Sequence, residues 1–233
     1  MTEEQRTIAN NISRIRERIS DAASKAGRSA ENICMIAVSK YVEVPATRAV
    51  ALAGIKDIGE SRPQNLWEKA AQLSDATIRW HLVGHLQRNK VAKTISESHL
   101  IHSVDSERLL DEIDQEGMKQ KRITNILLEI NISEDENKHG FSANAVPNAI
   151  EHISTLRHIR VKGLMAMSSR QGGCDVARKN FSAVREIRDR LSGSLPDNVL
   201  LDELSLGMSG DFEDAILEGA TMIRVGKALF TGL

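Results

Sequence analysis

Apolar residues recur every three or four positions at the start of the chain, at Ile8, Ile12, Ile15, Ile19, Ala22 and Ala26. That spacing lays one apolar stripe along a helix. Thr2 with Gln5 forms a capping box in front of it, and Gly27 is a natural stop. Beyond Gly27 the pattern changes. Short apolar runs bounded by polar residues now alternate with stretches of helical spacing. The runs predict strands at 33–39, around 57–58, and at 79–83, 99–104, 125–132, 161–165, 200–206 and 222–225, with 125–132 taken as the longest. Helical spacing falls at 45–53, 62–73, 87–97, from Ser106, at 143–156 with an early break at Pro147, at 174–191 and from Ser209.

Strands alternating with helices imply βαβ units and a parallel sheet. A count of eight predicts an α/β fold, a closed (β/α)8 TIM barrel with an extra N-terminal helix, as one domain over 1–233. An open doubly wound sheet would normally carry Gly-x-Gly-x-x-Gly after its first strand. Here Ser39-Lys40-Tyr41-Val42 stands in that place. No linker, internal repeat beyond the alternation, or low-complexity tract interrupts the chain.

Charge and composition narrow the function. The 31 basic and 32 acidic residues are interspersed and nearly cancel, at net −1. That argues against nucleic acid as a partner. No apolar stretch approaches the roughly 18 residues of a membrane span. The polar start Met1-Thr2-Glu3-Glu4 lacks a leader's apolar region. Cys34 and Cys174 suit neither a disulfide framework nor zinc. A cytoplasmic monomer with reduced thiols is expected.

In such a barrel the chemistry sits at the C-terminal ends of the strands. Barrels commonly bind phosphate with the loops after strands 7 and 8. Here those are Gly207-Met208-Ser209-Gly210 and Gly226-Lys227. Backbone N–H groups and the Ser209 hydroxyl could cradle an anion there, with Gly226 allowing close backbone approach. Taken alone, Ser209 reads better as an N-cap. Asp211, Glu213 and Asp214 would then complement the helix dipole, and would repel a phosphate unless turned away.

Lys40 alone reads as a solvated lysine at a strand end. Closure of the barrel changes that, because strand 8 then pairs with strand 1 and sets Lys40 beside both loops. An amine next to an anion cradle suits pyridoxal 5′-phosphate (PLP), whose aldehyde condenses with lysine. Arg224 shares a strand face with Met222 and Gly226; alone it reads as an arginine paired with a carboxylate, but if Gly226 faces the phosphate it points into the barrel mouth or toward the ring. At a pyridine nitrogen an arginine can only donate, which keeps that nitrogen unprotonated.

The remaining candidates are weaker. His81 and His85 are four apart but on a strand-to-loop segment, without the helical geometry of a metal pair, and His81 reads as a hydrogen-bonded core or rim residue. Met165, Met167 and Met208 read as packing. The polar segment 134–140 reads as a solvated loop or a lid.

Several segments, in order, resemble the pyridoxal phosphate homeostasis protein family. They are Ala37-Val38-Ser39-Lys40, Gly59-Glu60, the run from Trp80 to Lys90, Gly163-Leu164-Met165-Ala166-Met167, Leu204-Ser205-Leu206-Gly207-Met208-Ser209 and Ile223-Arg224-Val225-Gly226. The resemblance implies the barrel domain of alanine racemase, with PLP held on Lys40 as an internal aldimine. It implies that Ser209 and the backbone at Gly226-Lys227 hold the phosphate, with Arg224 near the cofactor and Met208 in the same loop. No metal and no catalytic residue follows from it. Lys138 matches a family lysine. One departure stands out: after Gly59-Glu60 the family usually has asparagine, where this chain has Ser61-Arg62-Pro63-Gln64.

The function expected is a PLP carrier in vitamin B6 homeostasis, buffering or delivering the cofactor to PLP-dependent apo-enzymes without turnover. The alternative is an amino-acid racemase of the alanine racemase type. Such a racemase needs a second acid/base opposite the lysine, which in that family is a tyrosine from a second domain. The one tyrosine, Tyr41, adjoins Lys40 and by strand alternation should face away from it. The chain also ends soon after strand 8. A third reading is a barrel that binds another phosphorylated metabolite noncovalently.

Overall fold

The computed structural model describes residues 1–133, 139–169, 173–193 and 195–233. Eight parallel strands close into a barrel in chain order. They are β1 Cys34–Val38, β2 Asp57–Glu60, β3 Arg79–Leu82, β4 Leu100–Val104, β5 Thr124–Ile130, β6 Ile159–Ala166, β7 Val199–Met208 and β8 Met222–Val225. The helices are α1 Glu3–Lys25, α2 Val44–Leu52, α3 Pro63–Gln72, α4 Val91–Glu97, α5 Glu107–Gln120, α6 Val146–Ser154, α7 Gly173–Leu191 and α8 Phe212–Leu217. Closure pairs β1 with β8, Cys34 opposite Met222 and Ile36 opposite Arg224.

Both reciprocal bonds of the Thr2–Gln5 capping box form. The isoleucine stripe of α1 is buried and packs on α2 and α8. In a (β/α)8 barrel a helix after β8 would lie between those two, and α1 takes that place. Asn11 pins the C-terminal segment there by donating to Leu229 O at 3.0 Å and Thr231 O at 2.9 Å.

Three local expectations need correction. The longest strand is β7, at 10 residues against 7 for β5. Pro147 does not break a helix but opens α6, since proline in the first turn lacks only an N–H that has no helical acceptor. The last helix begins at Phe212 rather than Ser209, because β7 runs on through Met208.

Alternation along each strand separates two interiors. Outward residues such as Ile58, Leu82, Leu128, Leu204 and Ile223 join the main helix–sheet core. Inside the barrel a small apolar cluster of Leu100, Leu127 and Met165, with Met222 against it, is topped by buried His81, His102, Glu129, Ser205 and Arg224. Met165 therefore packs as expected, and His81, 1 % exposed, is the hydrogen-bonded core residue anticipated.

These buried groups fix how stability responds to acid. Burial holds His102 neutral, well below its ordinary 6.5, so the unfolded chain takes up that proton first and stability falls as pH drops below 6.5. Burial and the neighbouring Asp105 push Glu129 from 4.5 to about 7, so its contribution has the opposite sign between those values and offsets the loss. Burial works against the Asp57 carboxylate, yet hydrogen bonds from His81 and Arg79 hold it below its ordinary 3.8. Its stabilisation is present above that value and lost below it. Burial lowers His99 as well, so Glu129 offsets only part of the loss. Unfolding free energy measured against pH should therefore fall gently from 6.5 to 4.5 and more steeply below. In Glu129→Gln the fall between 6.5 and 4.5 should be steeper than in the wild type.

Candidate functional site

At the C-terminal end of the barrel a cavity of about 300 Å³ opens between β1, β7 and β8. Lys40, Met208, Ser209, Arg224, Gly226 and Lys227 all line it, with Val38, Tyr41, Ser61, Val83, Met167 and Gly210. Six residues drawn from three separate segments thus converge on one space. Ser61, where the chain departs from the family pattern, also lies on it. Met167 and Met208, read as packing, are part-exposed on the cavity wall.

Lys40 stands in a turn just past β1, exposed, with its Nζ 4.7 Å from the centre of the Tyr41 ring. Strand alternation does not reach these two residues, because β1 ends at Val38. Tyr41 therefore lies beside Lys40 on the same cavity, and it is 82 % exposed.

The turn is braced from beneath by groups that sequence reasoning missed. Lys69 Nζ donates to Ser39 O at 2.8 Å and Val42 O at 2.7 Å, the residues flanking the Lys40–Tyr41 step, and to Glu60 Oε1 at 2.6 Å. The Ser39 hydroxyl donates to the same carboxylate oxygen at 2.7 Å. Both partners are buried. Glu60, at the end of β2, points outward to Lys69 on α3. A lysine in mid-helix normally signals a solvated face, so nothing in the local pattern marks Lys69 as a brace.

The two loops meet through Ser209. Its Oγ accepts from the Gly226 N–H at 3.2 Å and from the Ala228 N–H at 3.4 Å. Ser209 is thus no N-cap; Asp211 stands at that position. The Asp211 carboxylate is turned away, accepting from the Met208 N–H and the Ser168 hydroxyl, each at 2.6 Å. Glu213 pairs with Arg18 on α1. Asp211 and Glu213 are thus engaged away from the cavity. A Cβ on Gly226 would sit 3.1 Å from Val38 O, the close approach anticipated there.

Gly207 turns the chain into this loop. Its φ is +80°, and a Cβ there would lie 2.6 Å from Ala215 Cβ and 2.8 Å from Phe212 Cα. Gly207→Ala should cost at least the ~1–3 kcal/mol of a strained backbone. Gly210→Ala, with nothing within 4 Å, should stay within about 0.5 kcal/mol in the same denaturant titration.

Arg224 reaches up the inside of β8, buried. It donates to Ser205 Oγ at 2.7 Å and Ala166 O at 2.9 Å. Burial lowers its pKa to about 10, which leaves it charged at neutral pH. Across the mouth, His85 and His139 stack with ring centres 4.3 Å apart, and Asp105 lies 3.2 Å from His85 Nδ1. Three separate loops build that contact, so strand spacing could not show it. Lys138 and most of the segment read as a loop or lid lie outside the described residues.

A primary amine, a guanidinium, and a hydroxyl with two backbone N–H donors therefore surround one cavity. That set fits a small anionic carbonyl compound: the amine meets the carbonyl and the N–H groups meet the anion.

Comparison with known proteins shows the family. The model of the alanine racemase N-terminal domain family matches residues 6–233. The pyridoxal phosphate homeostasis protein of Aquifex aeolicus is 36 % identical over 94 % of this chain and 95 % of its own length. That of Escherichia coli K12 is 31 % identical over 96 % and 95 %. The structure of PipY from Synechococcus elongatus with PLP bound superposes with a TM-score of 0.84 at 30 % identity, covering 96 % of this chain and 99 % of that one. Alanine racemase from Clostridium difficile shares the fold, at TM-score 0.70 and 14 % identity, and this chain matches 56 % of its length. The chain belongs to the pyridoxal phosphate homeostasis protein family, built on the alanine racemase N-terminal barrel.

Proposed function

We propose that this protein binds pyridoxal 5′-phosphate on Lys40 and acts as a cytoplasmic carrier, buffering the cofactor or delivering it to apo-enzymes, without turnover of its own. The observation that carries the reading is the convergence of Lys40, Ser209, Arg224, Gly226 and Lys227 on one cavity. The PLP in the PipY structure and the naming of the curated relatives support it.

The donors suit the group. Lys40 Nζ would be the amine that holds the aldehyde of the cofactor, which would supply the carbonyl for a Schiff base there. The Gly226 and Ala228 N–H groups, which now share one serine hydroxyl, would gain charged phosphate oxygens as stronger acceptors. Lys227 adds a cation at the same rim. Arg224 can donate but not accept, so it would leave a pyridine nitrogen unprotonated and the ring a weak electron sink.

The racemase reading asks for a second acid/base across the ring and for exclusion of water. Tyr41 touches Lys40 from the same side, and both are open to solvent. Neither condition is favoured. The test is a paired assay. Protein loaded with PLP should turn yellow, transfer the cofactor stoichiometrically to an apo-enzyme, and leave L-alanine unracemised. Catalytic racemisation would overturn the carrier reading, and a colourless protein that binds some other phosphorylated compound would overturn PLP itself.

A further inference from the structure

From Arg224 a single file of hydrogen bonds runs down the inside of the barrel, away from the cavity. Arg224 donates to Ser205 Oγ at 2.7 Å. Ser205 Oγ lies 2.9 Å from His102 Nδ1, His102 Nε2 lies 2.9 Å from His81 Nδ1, and His81 Nε2 lies 3.0 Å from Asp57 Oδ1. At the far end Arg79 donates to both oxygens of Asp57. Ser205, His102 and His81 are wholly buried.

An ionised carboxylate only accepts, so His81 presents a proton from Nε2 to Asp57. With one proton per ring, His81 Nδ1 accepts, so His102 carries its proton on Nε2 and gives it to His81. His102 Nδ1 then accepts the Ser205 hydroxyl proton, while Ser205 Oγ accepts from Arg224. In that arrangement both rings are Nε2–H tautomers, and every donor in the file points toward Asp57. A protonated His81 would reverse both imidazole links and leave the Ser205 hydroxyl without an acceptor in the file.

The near partners of Arg224 are neutral oxygens of Ser205 and Ala166. Asp57 faces it through three polarised groups from the opposite end of the barrel. We infer that Ser205, His102, His81 and Asp57 are positioning residues of the cofactor site, a one-way hydrogen-bonded file that locks the Arg224 guanidinium at the cavity floor. The inference rests on the PLP reading only for the identity of the ligand above Arg224. A guanidinium held from behind keeps its free N–H edge aimed at the cavity, whereas an unheld one would turn to solvent or to Glu129.

Two measurements test it. Long-range proton–nitrogen correlation spectra of histidine-labelled protein without cofactor, at neutral pH, should show His81 and His102 as Nε2–H tautomers. An Nδ1–H tautomer or an imidazolium at either ring would overturn the file. With PLP added, Ser205→Ala should still be fixed by borohydride on the same lysine. Its bound-cofactor absorbance should shift and its affinity should fall about tenfold, the loss of one hydrogen bond to a charged group. Ser205→Thr, which keeps the hydroxyl, should restore both. Unchanged affinity and absorbance in Ser205→Ala would overturn the positioning role. If wild-type protein takes up no PLP, the proposed function fails, and the correlation spectra still decide the file.

Discussion

Lys69→Met is expected to lower the unfolding free energy by about 3–5 kcal/mol, the cost of leaving one partner of a buried ion pair behind. Glu60 is fully buried, and of its two oxygens only Oε1 is served, by Lys69 and Ser39. Oε2 has no partner among the described residues. Without the ammonium, that carboxylate keeps one hydroxyl donor. Ser39 O and Val42 O lose the ammonium in the same stroke, Ser39 O keeping only the Val42 N–H, so the turn holding Lys40 loosens. The double variant Lys69→Met/Glu60→Leu removes the stranded charge and should recover most of the loss, as replaced buried pairs often do. Urea midpoints of the wild type and the single and double variants measure this. Equal losses in single and double variants would show that the pair itself, rather than the stranded carboxylate, sets the cost.

Lys40→Ala should have the opposite profile. Lys40 is exposed, and its one described contact is with the Tyr41 ring. Its removal should change stability by less than about 0.5 kcal/mol. Covalent retention of PLP should be abolished, so that the cofactor leaves on gel filtration. Lys227→Ala, which keeps the amine and loses a rim cation, should remain yellow with weaker binding. Retained colour in Lys40→Ala together with lost colour in Lys227→Ala would exchange the two roles.

The eight strands were legible because short apolar runs and helical spacing alternate cleanly, and closure then followed from the count. Closure also made the candidate site legible, by carrying Lys40 at the end of β1 to the loops after β7 and β8. Local signals failed where tertiary contacts decide. Ser209 sits where an N-cap would, yet extension of β7 through Met208 passes that role to Asp211 and frees the hydroxyl for Gly226 and Ala228. Lys69 lies in mid-helix, where lysine is normally solvated, and only the packing of α3 on β2 buries it. His81, His102 and Ser205 come from β3, β4 and β7. Their contact depends on the register of the closed barrel, which no strand carries alone.

Borohydride reduction of the PLP-loaded protein, followed by peptide mapping by mass spectrometry, tests the cofactor assignment most directly. One added phosphopyridoxyl group, confined to the peptide that contains Lys40, is the expected result. Modification at Lys227 or Lys69 in place of Lys40, or none at all, would contradict it.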